Sequence, residues 1–153
     1  PEVVVRPVRA VFYGIEADGR VPLFEGAAGR LEATLRGDYV HAEDRDSGDP
    51  LPRIAPLRLG AGLAWRAGPL DARIDVTHAW HQKRVAANEL PTDGYTLVGL
   101  ALAWRIKLQR AELDAFVKAS NLFDREARLH TSVLKDIAPL GGRSVVAGLR
   151  LSF

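Results

Sequence analysis

The chain has 153 residues, 26% of them charged and 47% apolar, a net charge of +2 and no cysteine. That length is one domain's worth; the missing thiols exclude disulfides, thiol catalysis and cysteine metal sites, and the small, scattered charge argues against a nucleic-acid partner. The longest uncharged apolar run, Gly94 to Trp104, is far short of the ~20 residues of a transmembrane helix, and Pro1-Glu2 followed by three valines is not a signal peptide. With no initiator Met, the chain is expected to be a fragment of a longer exported protein.

The predicted elements are all strands, read from apolar residues at every second position. Arg9 to Val21 sets Val11, Tyr13, Ile15 and Ala17 against Phe12, Gly14, Glu16 and Asp18. Pro22 is expected to end it, with Phe24 to Gly29 as a short turn. The second strand, Arg30 to Ala42, has Leu31, Ala33, Leu35 and Tyr39 on one face and Arg30, Glu32, Thr34, Arg36 and Asp38 on the other. The charged run Glu43 to Pro50 reads as a solvated loop. Pro56 to Arg66 turns Leu57, Leu59, Ala61, Leu63 and Trp65 one way, and Ala67-Gly68-Pro69 is a tight turn. Leu70 to Gln82 alternates Ala72, Ile74, Val76, His78 and Trp80 with Asp71, Arg73, Asp75, Thr77 and His81; Lys83 to Gly94 is a second polar loop. Tyr95 to Arg105 carries Val98, Leu100, Leu102 and Trp104, and Ala111 to Ser120 carries Leu113, Ala115, Val117 and Ala119. After a long segment from Asn121, Ser144 to Phe153 is the final strand, with Val145, Ala147, Leu149, Leu151 and Phe153 on one face.

Three regularities point to a membrane barrel. The connections alternate short and long, as periplasmic turns and extracellular loops do. With Phe153 placed on the periplasmic side, Trp65 and Trp104 fall at the lower strand ends and Tyr39 and Trp80 near the upper ones, giving two aromatic girdles. The other face carries charges of both signs at strand centres: Glu32 and Arg36, Arg73 and Asp75, Asp114 and Lys118. Alternation does not say which face meets lipid, so a soluble antiparallel sandwich stays open. A small eight-stranded barrel also stays open if Val3 to Val5 adds a strand.

The stretch NLFDREARLHTSVLKDIAPLGGRSVVAGLRLSF, Asn121 to Phe153, resembles the C-terminus of TonB-dependent outer-membrane receptors, where an NLFD-type segment and a long loop precede a last strand ending in Phe. Within that family, HTSVLKDIAPLGGR resembles the zinc-type receptors most. Phe12 to Glu16 and Asp93 to Leu97 resemble strand starts of such receptors more loosely. The resemblance implies an all-β fold: an antiparallel meander of about seven transmembrane strands, with residues 1–153 forming the C-terminal part of a barrel of ~22 strands. The resemblance implies that the N-terminal strands and the plug lie outside this chain. It implies uptake of a scarce nutrient, a metal ion such as zinc or a metal chelate or siderophore, across the outer membrane of a Gram-negative cell. The implied partners are outer-membrane lipid, the missing strands and plug, the TonB system through that plug, and the metal or chelate. The alternative is a non-transport barrel or soluble β-sandwich binding domain. Seven strands alone leave two open edges, at Arg9 to Val21 and Ser144 to Phe153, so no stable closed barrel is expected from these residues by themselves.

Site chemistry is sparse, and neither an enzyme nor a resident cofactor is expected. No serine–histidine–aspartate spacing, phosphate-binding glycine loop or paired-carboxylate motif stands out. The nitrogen ligands for a metal are His41, His78, His81 and His130. His78 and His81 point to opposite faces of a strand and do not chelate together. His41 and His78 fall on the apolar face near the upper rim, where an interfacial role is expected. His81 and His130 are the metal candidates, expected to line an extracellular vestibule with carboxylates from the loops. The strand-centre charges are expected to form ladders of opposite sign.

Overall fold

Residues 7–153 are described by a computed structural model; Val3 to Val5 lie outside the described residues. The alternating segments become seven strands: β1 (Ala10–Gly26), β2 (Gly29–Asp44), β3 (Arg58–Ala67), β4 (Leu70–Ala79), β5 (Tyr95–Lys107), β6 (Glu112–Ser120) and β7 (Ser144–Ser152). They lie in chain order in one antiparallel sheet. Among the described residues, each strand touches only its sequence neighbours, and β1 does not meet β7. The sheet is therefore a single open layer. A sandwich requires a second layer over its core, and none is present among these strands.

The register keeps one face apolar from edge to edge. Phe24, Leu31, Trp65, Ala72, Leu102, Val117 and Ala147 are successive cross-strand partners through all seven strands. One residue along, Pro22, Glu32, Ala64, Arg73, Ala101, Lys118 and Val146 form the matching row on the other face. The burial is the reverse of a water-soluble sheet. On β3, Leu59 (48%), Leu63 (43%) and Trp65 (41%) are exposed, while Gly60, Gly62 and Ala64 on the polar side are buried beneath longer neighbours. In water each large apolar side chain left out forgoes about 1.5–3 kcal/mol of burial. Against hydrocarbon nothing is forgone, and the backbone ladder satisfies the polar groups that lipid cannot.

Short and long connections alternate as expected. Ala27-Ala28 joins β1 to β2, Gly68-Pro69 joins β3 to β4, and Leu108 to Ala111 joins β5 to β6. Gly68 takes φ 55°, which a primed two-residue turn requires. The long loops run 45–57, 80–94 and 121–143. The largest differences from expectation are at two boundaries: β4 ends at Ala79 rather than Gln82, so Trp80 to Gln82 join the long loop, and β1 does not stop at Pro22. Pro22 pairs with Glu32, the register shifts past Leu23, and pairing resumes at Phe24 opposite Leu31. A bulge at Leu23 carries the strand on past the residue that has no N–H to give the ladder.

The aromatic girdles are where the pattern placed them. The Trp65 indole Nε1 donates to Ala28 O at 3.0 Å, tying its ring to the β1–β2 turn. At the other end Tyr13 stacks on His41 with centroids 4.5 Å apart, and His78 meets Trp80 edge-on at 4.3 Å. His78 Nδ1 is 2.8 Å from Thr96 Oγ1. An amphipathic ring with one wet edge suits a membrane interface.

Candidate functional site

The polar face is a wall of paired charges. Asp38–Arg58 (2.9 Å), Arg66–Asp71 (3.1 Å) and Arg105–Asp114 (3.0 Å) stand directly opposite across neighbouring strands. Glu32, 5% exposed, receives Arg20 from β1 at 3.1 Å and Arg30 at 3.3 Å. Arg73 forks onto Asp75 on its own strand at 2.7 and 2.8 Å. Lys118 lies 5.6 Å over the Phe116 ring, and that ring fits against β7 because Gly148 opposite it has no Cβ. Ladders of alternating sign let a wall carry many charges while few are left unpaired.

Above the wall, the long loops are held by a second cluster. His130 is 2% exposed, with Nδ1 2.9 Å from Thr92 Oγ1 and 3.5 Å from Lys135 Nζ. Its Nε2 lies 3.3 Å from Glu89 Oε1 at an angle that makes no hydrogen bond. Lys135 Nζ is 3.2 Å from the same Glu89 oxygen and donates to Leu90 O. Burial, then the Lys135 ammonium, holds the His130 imidazole below its ordinary value of 6.5. Burial pulls Glu89 the other way, but N–H donors of Ala86 and Arg53, with Lys135, outweigh it and keep the carboxyl below its ordinary 4.5. His130 therefore sits neutral beside a Glu–Lys ion pair.

This places the histidines unevenly. His130 is enclosed by loop side chains rather than lining an open vestibule, and His81 is exposed in the loop after β4. His130 meets one loop carboxylate, Glu89, but among the described residues no group of three or more His, Asp or Glu is placed to hold a metal ion.

The NLFD segment has a mechanical explanation. Asn121, at φ 47°, uses Nδ2 to reach Arg125 O (2.8 Å) and Gly141 O (3.2 Å), and its Oδ1 accepts Arg125 N–H at 2.9 Å. Asp124 Oδ1 accepts Arg143 N–H at 2.7 Å. The two side chains pin the start of the 121–143 loop to its end, delivering the chain into β7.

The sequence model of the family described as TonB dependent receptor-like, beta-barrel, matches residues 5–122. The chain belongs to this family. Receptors of this kind are outer-membrane β-barrels, which agrees with a sheet whose apolar face is exposed along its whole width. Among solved structures, the chain superposes on one titled "Copper transporter OprC" with a TM-score of 0.78 and 22% identity, over 93% of this chain and 23% of that one. At that identity the likeness establishes a shared fold. The chain spans under a quarter of that transporter's length.

Sequence reading missed Glu89 and Lys135 as a receptor-loop anchor. Both sit in polar loops where charge is ordinarily solvated. The available signal was a lone Lys135 between exposed apolar Val133, Leu134 and Ile137, and a Glu following Asn88 at φ 64°.

Proposed function

We propose that this chain is the C-terminal sector of an outer-membrane receptor that imports a metal ion or metal chelate, with plug, remaining strands and TonB contact supplied by the rest of the protein. The observation that carries the reading is the inverted sheet: one apolar face open across seven strands, the other a wall of paired charges. Such a surface is stable in lipid with its polar side turned to a wide interior. Metal as cargo rests on two independent likenesses: HTSVLKDIAPLGGR resembles zinc-type receptors, and the superposed structure is titled a copper transporter. His81, exposed in the loop after β4, is the histidine a passing metal ion reaches.

The deciding experiment removes the receptor carrying this chain from its Gram-negative host and measures zinc and copper accumulation under limitation of each. Lowered accumulation of one metal, restored by the receptor gene, is the expected result. Unchanged accumulation of both, free or chelated, overturns the cargo assignment.

A further inference from the structure

We propose that Glu89, Lys135 and His130 form a latch that holds the three long loops together as one lid, and that releasing it frees the loops while the strands stay paired. Glu89 (9%), Lys135 (4%) and His130 (1%) have nearly inaccessible side chains, although they lie in connections rather than in the sheet. Charged groups are almost never buried unless paired, so the enclosure calls for a reason.

The contacts supply one. The Glu89 carboxylate gathers all three loops at once. It accepts the Arg53 N–H (3.0 Å) from loop 45–57, the Ala86 N–H (3.2 Å) from its own loop 80–94, and faces the Lys135 ammonium (3.2 Å) from loop 121–143. Thr92 and His130 add a second tie between the latter two loops, and Gln82 Nε2 donates to Ile54 O at 3.1 Å between the first two. Among the described residues the backbone joins these loops at Trp80 N–H to Leu57 O, 3.0 Å, between the first two, so side chains do most of the joining.

A buried ion pair behaves as a latch for a physical reason. Its Coulomb attraction offsets the lost hydration only while both partners are seated, and each is comfortable in water once apart. Closed and open arrangements are thus close in free energy, and loss of either partner leaves a buried charge that drives opening. The strands below are independent of this balance, because their own ladder and cross-strand pairs hold them.

The test is trypsin cleavage at Lys83, Arg84, Arg125 and Arg128 in the whole receptor on intact cells, with heat-modifiable gel mobility reporting the barrel. Glu89→Gln and Lys135→Met are each expected to raise the cleavage rate roughly tenfold with mobility unchanged, and the double variant to cut no faster than either single. Rates within about twofold of wild type, or single effects that multiply in the double variant, overturn the latch. Loss of heat-modifiable mobility in both the singles and the double overturns it as well, since the cluster then supports the sheet. Cleavage seen only after the outer membrane is opened refutes the extracellular placement expected of the long loops, and the same rate comparison in opened cells still decides the latch.

Discussion

Arg36 on β2 and Asp75 on β4 meet across the strand that separates them, with Nη2 3.5 Å from Oδ1. The strand between them, β3, offers Gly60 opposite Arg36 and Gly62 opposite Asp75. A Cβ at Gly60 would come within 2.7 Å of Arg36 Nε, and one at Gly62 within 2.6 Å of Thr34 Oγ1 and 2.8 Å of Asp75 Oδ1. The glycines are the notch through which the pair reaches. A strand gives up packing for such residues where another group must approach closely.

Gly62→Val is therefore expected to lower stability by about 1–3 kcal/mol through overpacking. Gly141→Ala, with open space around it, is the control and should change little. Urea unfolding of the whole receptor in detergent measures both. Equal stability of the two variants would remove the notch from the account.

The face assignment predicts opposite tolerance at adjacent residues. Leu100 lies on the apolar side between Ile74 and Ala119, and Ala101 on the polar side between Arg73 and Lys118. Leu100→Arg should cost about 2–4 kcal/mol at mid-membrane. Ala101→Glu, placed between two cations, should be near neutral. Unfolding midpoints in lipid vesicles that fall equally for the two would mean the wrong face was given to lipid.

Asn121 carries a sharper test of the loop. Asn121→Ala strands the Arg125 N–H and Gly141 C=O and puts alanine at φ 47°, a conformation asparagine tolerates better. The loss of paired buried groups should cost about 1–3 kcal/mol, felt in the loop. Faster hydrogen exchange at Arg125 and Arg143, with β5 and β6 unchanged, is the expected pattern. Uniform acceleration along the sheet would make Asn121 a support of the barrel instead.

The sheet was legible because its determinants are local. Period-two alternation, Gly68-Pro69 and the charged runs set strands and turns, and the common phase of Leu31, Trp65, Ala72 and Leu102 followed once neighbours paired. Pro22 misled because a missing donor ends a central strand, whereas here the chain bulges and goes on. The loop anchor was not legible. Glu89 and Lys135 belong to different loops, and nothing in either segment announces the partner. The same holds for His130: sequence marks it as a nitrogen ligand, but only the fold shows Thr92 and Lys135 against Nδ1.

Acid should loosen the loops in two steps, and the sign follows from both titrating groups. His130 is held below 6.5 by burial and then by Lys135, so the closed loops bind its proton less readily than open, hydrated ones do. The closed arrangement keeps its full stability above pH ~6.5 and loses it progressively as the pH falls from there toward the lower closed-state value. Glu89 is held below 4.5 in spite of burial, by the N–H groups of Ala86 and Arg53 and by Lys135. Its contribution is present above that ordinary value and disappears as the pH falls through the depressed one. The Glu89 and Asp136 carboxylates act on His130 in the opposite sense but are its weaker influences. Hydrogen exchange in residues 83–94 and 121–143 should therefore quicken, after correction for intrinsic rates, between about pH 7.5 and pH 5.5, and again as the pH falls below about 4.5. His130→Gln should abolish the first step and keep the second. Wild-type loops whose corrected exchange is the same at about pH 7.5 and pH 5.5 would show that protonating His130 does not work against closure.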